Sequence, residues 1–203
     1  RKSYKRGEIN DEVAHWQAIK IMDLNAIKIQ DLNKDFTLTD SFIELTRLVS
    51  SSGQFKIINF PTFKYLKRND ELPHNWKTTS DSISYFIASK LNLLKCFLIK
   101  DLDGIYLKDG KKIIKNLSIN DFQKFQKNDL LFNPIIYGIK KQFFSLKKQS
   151  TPIDSYLLTL IKEYKLDCII LNGKKPSTNI TKYFQSINED EKVYTKLYCD
   201  ASR

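Results

Sequence analysis

The sequence predicts an α/β protein, a three-layer α/β/α sandwich with a mainly parallel sheet, and two observations favour this class. Residues 72–106 comprise in order a polar loop, an amphipathic helix, a short apolar strand and a charged loop. That order is half of a βαβ unit, and α/β proteins place ligands at the carboxyl ends of such strands. A second apolar run, at 167–171, also follows a segment of helical periodicity. Both runs are too short for helices and end in polar residues, which indicates buried strands.

The first part of the chain is predicted to be mainly helical. A helix begins at Asn10 and Asp11, because acidic residues favour a first turn. Apolar residues then recur every three or four positions, which predicts this buried stripe: Val13, Trp16, Ile19, Met22, Ala26 and Ile29. A second helix is predicted with Thr39 or Asp40 as its N-cap and an end at Gly53.

A strand at 55–60 and a short helix or loop precede the central stretch. There Thr79, Ser80 and Asp81 open a helix, because their side-chain oxygens can accept hydrogen bonds from the unpaired N–H groups of a first turn. The apolar run at 94–99 follows as a strand.

Capping residues and apolar periodicity predict several elements beyond Tyr106. They are a hairpin at 107–114 that turns at Asp109-Gly110, a short helix capped by Ser118, a helix that starts at Thr151-Pro152, a strand at 167–171, a short helix at 177–184 and an edge strand at 193–198. Residues 128–149 have no pattern that predicts an element.

Length and composition predict a single domain over residues 1–203 with a sizeable core. The chain has 203 residues, of which 41% are hydrophobic and 28% charged, as in ordinary globular proteins. No apolar run approaches the roughly 18 residues of a membrane span, so no membrane partner is expected. The three Cys form no C-x-x-C pair and are expected to be reduced thiols of a cytoplasmic protein.

The net charge of +11 raises nucleic-acid binding as a possible function. However, all but five of the 34 basic residues are Lys, and they are spread along the chain. Nucleic-acid-binding proteins more often use Arg, whose planar guanidinium group makes bidentate hydrogen bonds. We therefore interpret the Lys excess as solvated surface and expect no nucleic-acid partner, although some of the charge can attract a phosphorylated substrate.

Two motifs of the central stretch resemble the amino acid kinase family. They are the helix start at 79–82, TSDS, and the strand end at 100–106, KDLDGIY. With the flanking segments 72–76, 14–23 and 170–176, the chain is similar to an archaeal branch of the family that includes the furan phosphate kinase of methanofuran biosynthesis. The resemblance implies an amino acid kinase-like fold, ATP and Mg²⁺ as cofactors, a small-molecule acceptor and a homo-oligomer, dimer or larger.

The chain departs from this family in its glycines. The family's first strand ends in a Gly-Gly loop, and a second Gly-rich loop follows, which lets backbone N–H groups approach phosphate. This chain has six Gly, no two adjacent, and starts at Arg1. We therefore expect the family's N-terminal strand and Gly-rich loops to be missing, so that this fragment alone binds ATP poorly.

Asp81 and Lys174 are the predicted catalytic residues. Phosphoryl transfer needs cations against the transferring oxygens and a group that holds those cations. In the family, the Asp that matches Asp81 has this holding role; from the residues alone, Asp81 is more simply an acid that supports a helix N-terminus. Lys174 follows a predicted strand and is a candidate for reaching the ATP phosphates, or else one of many surface lysines.

The resemblance places the nucleotide beside the ends of two predicted strands. The candidate nucleotide-binding residues are Lys100, Asp101, Asp103, Gly104, Tyr106, Asn172 and Gly173. Among them, Gly104 permits a tight turn. The alternative is that these residues form ordinary polar turns.

The acceptor is predicted to bind the loop before the central helix and one residue of the first helix. The candidates are His15, His74, Asn75, Trp76, Thr78, Thr79 and Ser80. Trp76 lies between polar residues, which is unusual for core packing alone. Uridylate kinases carry a substrate-binding acid at the place that matches His15, which is otherwise a histidine at the edge of an apolar stripe.

The predicted function is that of an ATP-dependent phosphotransferase, a kinase acting on a small acidic or phosphorylated metabolite. One alternative is a non-catalytic small-anion- or nucleotide-binding or storage protein on the same fold, and another is a basic nucleic-acid-binding protein. Acceptor-dependent ATP hydrolysis indicates the first, oxyanion binding without turnover the second, and steeply salt-dependent DNA affinity the third.

Overall fold

The computed structural model describes residues 2–33, 35–51, 57–110, 112–131 and 152–200. The chain divides into two compact units, Arg1–Ser80 and Asp81–Arg203. The single domain over 1–203 stays a prediction. Most of the stretch 128–149, and the predicted helix start Thr151, lie outside the described residues. Within the described ranges, no helix is both long and apolar enough to cross a lipid bilayer.

The first unit contains one long helix, α2, and a pair of short parallel strands. Its elements are α1 (Lys2–Lys5), α2 (Asp11–Leu32), β1 (Phe36–Leu38), α3 (Phe42–Ser50), β2 (Ile57–Asn59) and α4 (Phe63–Asn69). β1 pairs with β2, with Phe36 opposite Ile57, and α2 contacts both strands and α4. β2 falls within the predicted strand 55–60, of which residues 55 and 56 are outside the described residues. β1 was not predicted, because three residues are too few for an alternating pattern.

α2 begins where the sequence predicted and buries only part of the predicted stripe. The side chain of Asn10 caps it by accepting a hydrogen bond from the N–H of Val13 at 2.9 Å. Val13 and Ile29, two members of the predicted stripe, are 42% and 47% exposed. The buried residues are Ala14, His15 and Ile19. His15, at the edge of that stripe, is buried as well, and its ring stacks on that of His74.

α3 is capped by Ser41 rather than by Thr39 or Asp40. Ser41 has extended backbone angles directly before the helix and accepts from the N–H of Glu44 at 3.4 Å. The hydroxyl of Thr39 instead donates to the Glu44 carboxylate at 2.7 Å. The helix ends at Ser50, before the predicted end.

The second unit contains, in its described part, a four-stranded and mainly parallel sheet. Its elements are α5 (Ser80–Lys90, whose first residue belongs to the first unit), β3 (Lys95–Lys100), β4 (Asn116–Ser118), α6 (Ile119–Lys127), α7 (Leu157–Tyr164), β5 (Asp167–Asn172), α8 (Asn179–Gln185), a 3-10 turn (Glu189–Glu191) and β6 (Thr195–Tyr198). The strand order is β3-β5-β6-β4, and only β5 and β6 pair antiparallel. Lys100 lies opposite Asn172, so that β3 and β5 end at the same edge. The predicted α/β class with a mainly parallel sheet is confirmed.

α5 provides much of the core of this unit. Tyr85 and Phe86 are 0% and 1% exposed. The Tyr85 hydroxyl accepts from the N–H of Leu166 at 2.9 Å and donates to its carbonyl at 2.8 Å. Cys96 and Cys168 are paired across β3 and β5 as buried free thiols, as their predicted strands implied.

Two predictions for this unit are wrong in position. The last strand was predicted at an edge, but β6 lies between β5 and the unpredicted three-residue strand β4. The helix predicted from Thr151-Pro152 begins at Leu157. The Asp154 carboxylate accepts from the N–H of Leu157 at 3.0 Å, so the preceding residues form a turn and not the first helical turn.

Two glycines of this unit occupy positions that need them. The predicted hairpin is present, with Tyr106 bridged to Ile113 and Gly110 in the left-handed region at φ +67°. Gly104 has φ +150°, and a Cβ there would lie 2.4 Å from the hydroxyl oxygen of Thr195. Glycine is therefore required where the loop after β3 approaches β6.

Candidate active site

A buried ion pair joins the start of α5 to the end of β3. Asp81, in the first turn of α5, is 6% exposed, and its Oδ1 lies 2.5 Å from the Nζ of Lys100. Burial raises the pKa of the Asp81 carboxyl above its ordinary value, and the charge of Lys100 opposes that rise. The carboxylate thus holds an ammonium group at the edge where an α/β sheet binds ligands. Both residues were predicted site residues, but their pairing was not predicted.

Asp154 supports this helix start and was missed by the sequence analysis. Its carboxylate accepts from the backbone N–H of Ser82 at 3.0 Å and from the Ser82 hydroxyl. Its negative charge also raises the pKa of Asp81. The sequence analysis placed Asp154 near the start of a predicted helix, where an acidic residue is common for local reasons. Nothing in the sequence therefore indicated a distant partner for it. Its role in orienting α5 depends on a contact with Ser82, which is 72 positions away in the sequence.

Four polar residues meet at the carboxyl ends of β3 and β5. Asp103 accepts from the side-chain amides of Asn172 and Asn179, both at 2.8 Å, and from the Tyr106 hydroxyl at 3.0 Å. Burial, followed by the bond to Asp103, raises the pKa of Tyr106 to about 12. Three of the four were nucleotide-binding candidates. Asn179 was not, because the first residue of a short predicted helix carries no distinguishing signal.

The remaining candidates of this unit lie around that group but differ in exposure. The N–H of Gly173 donates to the Lys100 carbonyl at 2.8 Å, and the N–H of Lys174 donates to Asn172 Oδ1 at 2.8 Å. The Lys174 side chain is exposed, and its contact with phosphate stays a prediction. Asp101 is also exposed, on the loop after β3.

The acceptor candidates of the first unit include a histidine pair. The rings of His15 and His74 are stacked with centroids 5.6 Å apart. The Nε2 of His74 lies 2.7 Å from Asp70, and its Nδ1 lies 3.6 Å from Glu12. Burial, reinforced by the charge of His74, lowers the pKa of His15, which is 5% exposed. The Trp16 ring lies 4.5 Å from that of His74 and was assigned by the sequence only to a helix core.

The loop before α5 provides the rest of the acceptor candidates. The Asn75 side chain accepts from the N–H of Lys77 at 2.9 Å, and Trp76 contacts Tyr4 with ring centroids 5.5 Å apart. Thr78 is 2% exposed. Its hydroxyl and the Trp16 indole N–H are buried and have no hydrogen-bond partner among the described residues. The half-buried Thr79 and the exposed Ser80 complete the set at the start of α5.

No model of a known protein family matches the sequence. The chain is 25% identical over 198 residues to the [5-(aminomethyl)furan-3-yl]methyl phosphate kinase of Methanocaldococcus jannaschii, covering 97% of this chain and 76% of that relative.

Two solved structures are similar in fold. The UMP kinase of Ureaplasma parvum has a TM-score of 0.63 at 14% identity, over 98% of this chain and 76% of that one. The uridylate kinase of Archaeoglobus fulgidus has a TM-score of 0.58 at 14% identity, over 97% and 77%. The predicted resemblance to the amino acid kinase family and the predicted fold are therefore confirmed, and the proteins that this chain resembles are kinases of small phosphorylated molecules.

Proposed function

We propose that this chain is an ATP-dependent kinase that transfers phosphate to a small phosphorylated metabolite. The observation that carries the proposal is the buried Asp81–Lys100 pair at the N-terminus of α5 and the carboxyl end of β3. A lysine held by a carboxylate at that edge supplies the fixed positive charge that phosphoryl transfer requires.

In this proposal Lys100 contacts the transferring phosphate, and Asp81 holds the ammonium group in place. The side chain of Lys100 is 21% exposed, and a partly shielded charge acts on a phosphate oxygen more strongly than a fully solvated one. The exposed Lys174 reaches the outer phosphates of ATP. The loop residues around Asp103 and Gly173 border the nucleotide.

Mg²⁺ is proposed as the second cofactor. Kinases usually hold it with one or two carboxylates and the phosphates of the nucleotide. In the part of the chain that the structure describes, no group of three or more His, Cys, Asp or Glu side chains is placed to hold a metal. The buried Asp81 carboxylate already pairs with Lys100, so the residues fit an ion carried mainly by nucleotide phosphates. The ion would neutralise charge on the transferring phosphate.

The proposed acceptor is a small phosphorylated molecule with a flat ring. The Methanocaldococcus jannaschii relative is named as the kinase of a furan methyl phosphate, and both solved neighbours are kinases of UMP. The first unit offers the aromatic faces of Trp16, His74 and Trp76. The buried Thr78 hydroxyl and Trp16 N–H are donors that a ligand oxygen can satisfy. The cytoplasmic location and the homo-oligomeric state, dimer or larger, remain predictions.

Acceptor-dependent formation of ADP by the natural full-length protein tests this proposal. Asp81→Asn keeps the shape and removes the charge, and it is expected to lower kcat by about 10²–10³-fold while the protein remains folded. Asp190→Asn removes an exposed carboxylate from the 3-10 turn and serves as the matched control, with unchanged turnover. Equal kcat values for the natural and Asp81→Asn proteins would contradict the catalytic role. Oxyanion binding without ADP formation would indicate a binding or storage protein instead.

A further inference from the structure

The Asp103 carboxylate is tied to both ends of one loop. The amides of Asn172, the last residue of β5, and Asn179, the first residue of α8, donate to the same oxygen, Oδ1. The Tyr106 hydroxyl donates to the other oxygen. We propose that Asp103 is a positioning residue that clamps the 172–179 loop in the conformation that receives the nucleotide. This inference rests on the proposed kinase function and names residues that act in it without touching the nucleotide.

The hydrogen bonds of Asp103 argue for positioning rather than direct contact. An ionised carboxylate accepts about four hydrogen bonds, and three are supplied here by neutral groups of the chain, at 2.8, 2.8 and 3.0 Å. A free carboxylate beside nucleotide phosphates would repel them. Here the negative charge strengthens bonds within the protein, because hydrogen bonds to an ionised acceptor are stronger than those between neutral groups.

The clamp reaches Lys174, the lysine proposed to contact the outer phosphates of ATP, through Asn172. An ionised carboxylate only accepts, so it fixes the orientation of the Asn172 amide, whose oxygen then faces the N–H of Lys174 at 2.8 Å. The backbone from which the Lys174 side chain starts is therefore held by Asp103 through one intermediate residue.

The far end of the loop is closed in the same way. Asn179 donates to Asp103 through its side chain, and its backbone N–H donates to the Ser177 hydroxyl at 3.2 Å. The N–H of Ser177 in turn donates to the Lys174 carbonyl at 2.8 Å. The N–H of Gly173 is held separately by the Lys100 carbonyl. The other bonds named here lie within the loop or run to Asp103, so removal of the carboxylate is expected to loosen the loop beyond Gly173.

The geometry makes two substitutions of Asp103 behave differently. In Asp103→Asn the amide oxygen can still accept from Asn172 and Asn179, and the new amide N–H can donate to the Tyr106 oxygen. That variant keeps the clamp and loses only the charge. Asp103→Ala removes every bond. A nucleotide contact that depended on the Asp103 charge would instead be lost in both variants.

The experiment measures the loop and the enzyme separately in the natural full-length protein and its variants. In nucleotide-free protein, Asp103→Ala and Asn179→Ala are expected to raise hydrogen exchange of the 174–179 amides by about tenfold. With acceptor saturating, both variants should raise the KM for ATP by about tenfold and change kcat and the KM for the acceptor much less. Asp103→Asn is expected to rescue both readouts to within a few fold of the natural protein. Asn120→Ala, which removes an equivalent 2.8 Å amide-to-carboxylate bond to Asp200, is the control and should change neither.

Three results would overturn the clamp. They are unchanged exchange in Asp103→Ala, raised exchange with an unchanged KM for ATP, and an Asp103→Asn variant as impaired as Asp103→Ala. A natural protein that forms no ADP with any phosphorylated acceptor would refute the proposed function. ADP formation by the natural protein is therefore measured before any variant is compared.

Discussion

Replacement of Tyr85 by Phe tests the two hydrogen bonds that join α5 to Leu166, the residue before β5. The Tyr85 ring is fully buried, and its hydroxyl makes two hydrogen bonds to the backbone of Leu166, which is 6% exposed. Tyr85→Phe keeps the ring and leaves the N–H and the carbonyl of Leu166 without these partners. Each unsatisfied buried group costs about 1–3 kcal/mol, so the loss of unfolding free energy is expected to be about 2–4 kcal/mol. For a chain of this size that corresponds to a fall in Tm of roughly 5–15 °C.

Urea titration followed by far-UV circular dichroism measures this loss, with the slope m compared to confirm that the unfolded states match. Tyr198→Phe, which removes the hydroxyl of a half-buried ring on β6, is the matched control and should change stability by less than about 0.5 kcal/mol. Equal stabilities of the Tyr85→Phe and Tyr198→Phe proteins would refute the reasoning, because water would then satisfy Leu166 as well as the tyrosine does.

Two further predictions concern stability. Thr195→Val removes a buried hydroxyl that accepts from Ile105 and donates to Ile114, both at 2.8 Å. It should cost about 1–3 kcal/mol in a urea titration, whereas Thr195→Ser keeps both bonds, and equal losses would contradict the assignment. The raised pKa of Asp81 means that, between its ordinary value of 3.8 and its folded value, the native state binds more protons. The free energy of unfolding should therefore fall as pH rises through that window. The Asp81→Asn protein should lack this fall, and an identical dependence of the unfolding free energy on pH in both proteins would argue against a raised pKa.

Local signals in the sequence were sufficient to place several elements and candidate residues. The polar start of α5 at Ser80 and the apolar run of β5 were predicted within a residue or so. Asn10 as the start of α2 was predicted in the same way. Helix capping and apolar periodicity act between residues a few positions apart, so a linear reading detects them. The same locality explains why the burial of His15 was not predicted, since His74, which stacks on its ring, is distant in sequence.

The sequence by itself therefore determined the α/β class, most element positions and which polar residues follow the strands. Only the tertiary structure decided which of those residues meet. Lys100 pairs with an acid 19 positions away, and Asp103 is bonded by amides 69 and 76 positions away. Such contacts depend on strand order and register, which place β6 inside the sheet and align the ends of β3 and β5. No residue encodes that order alone, because it follows from how all the strands bury their apolar faces together.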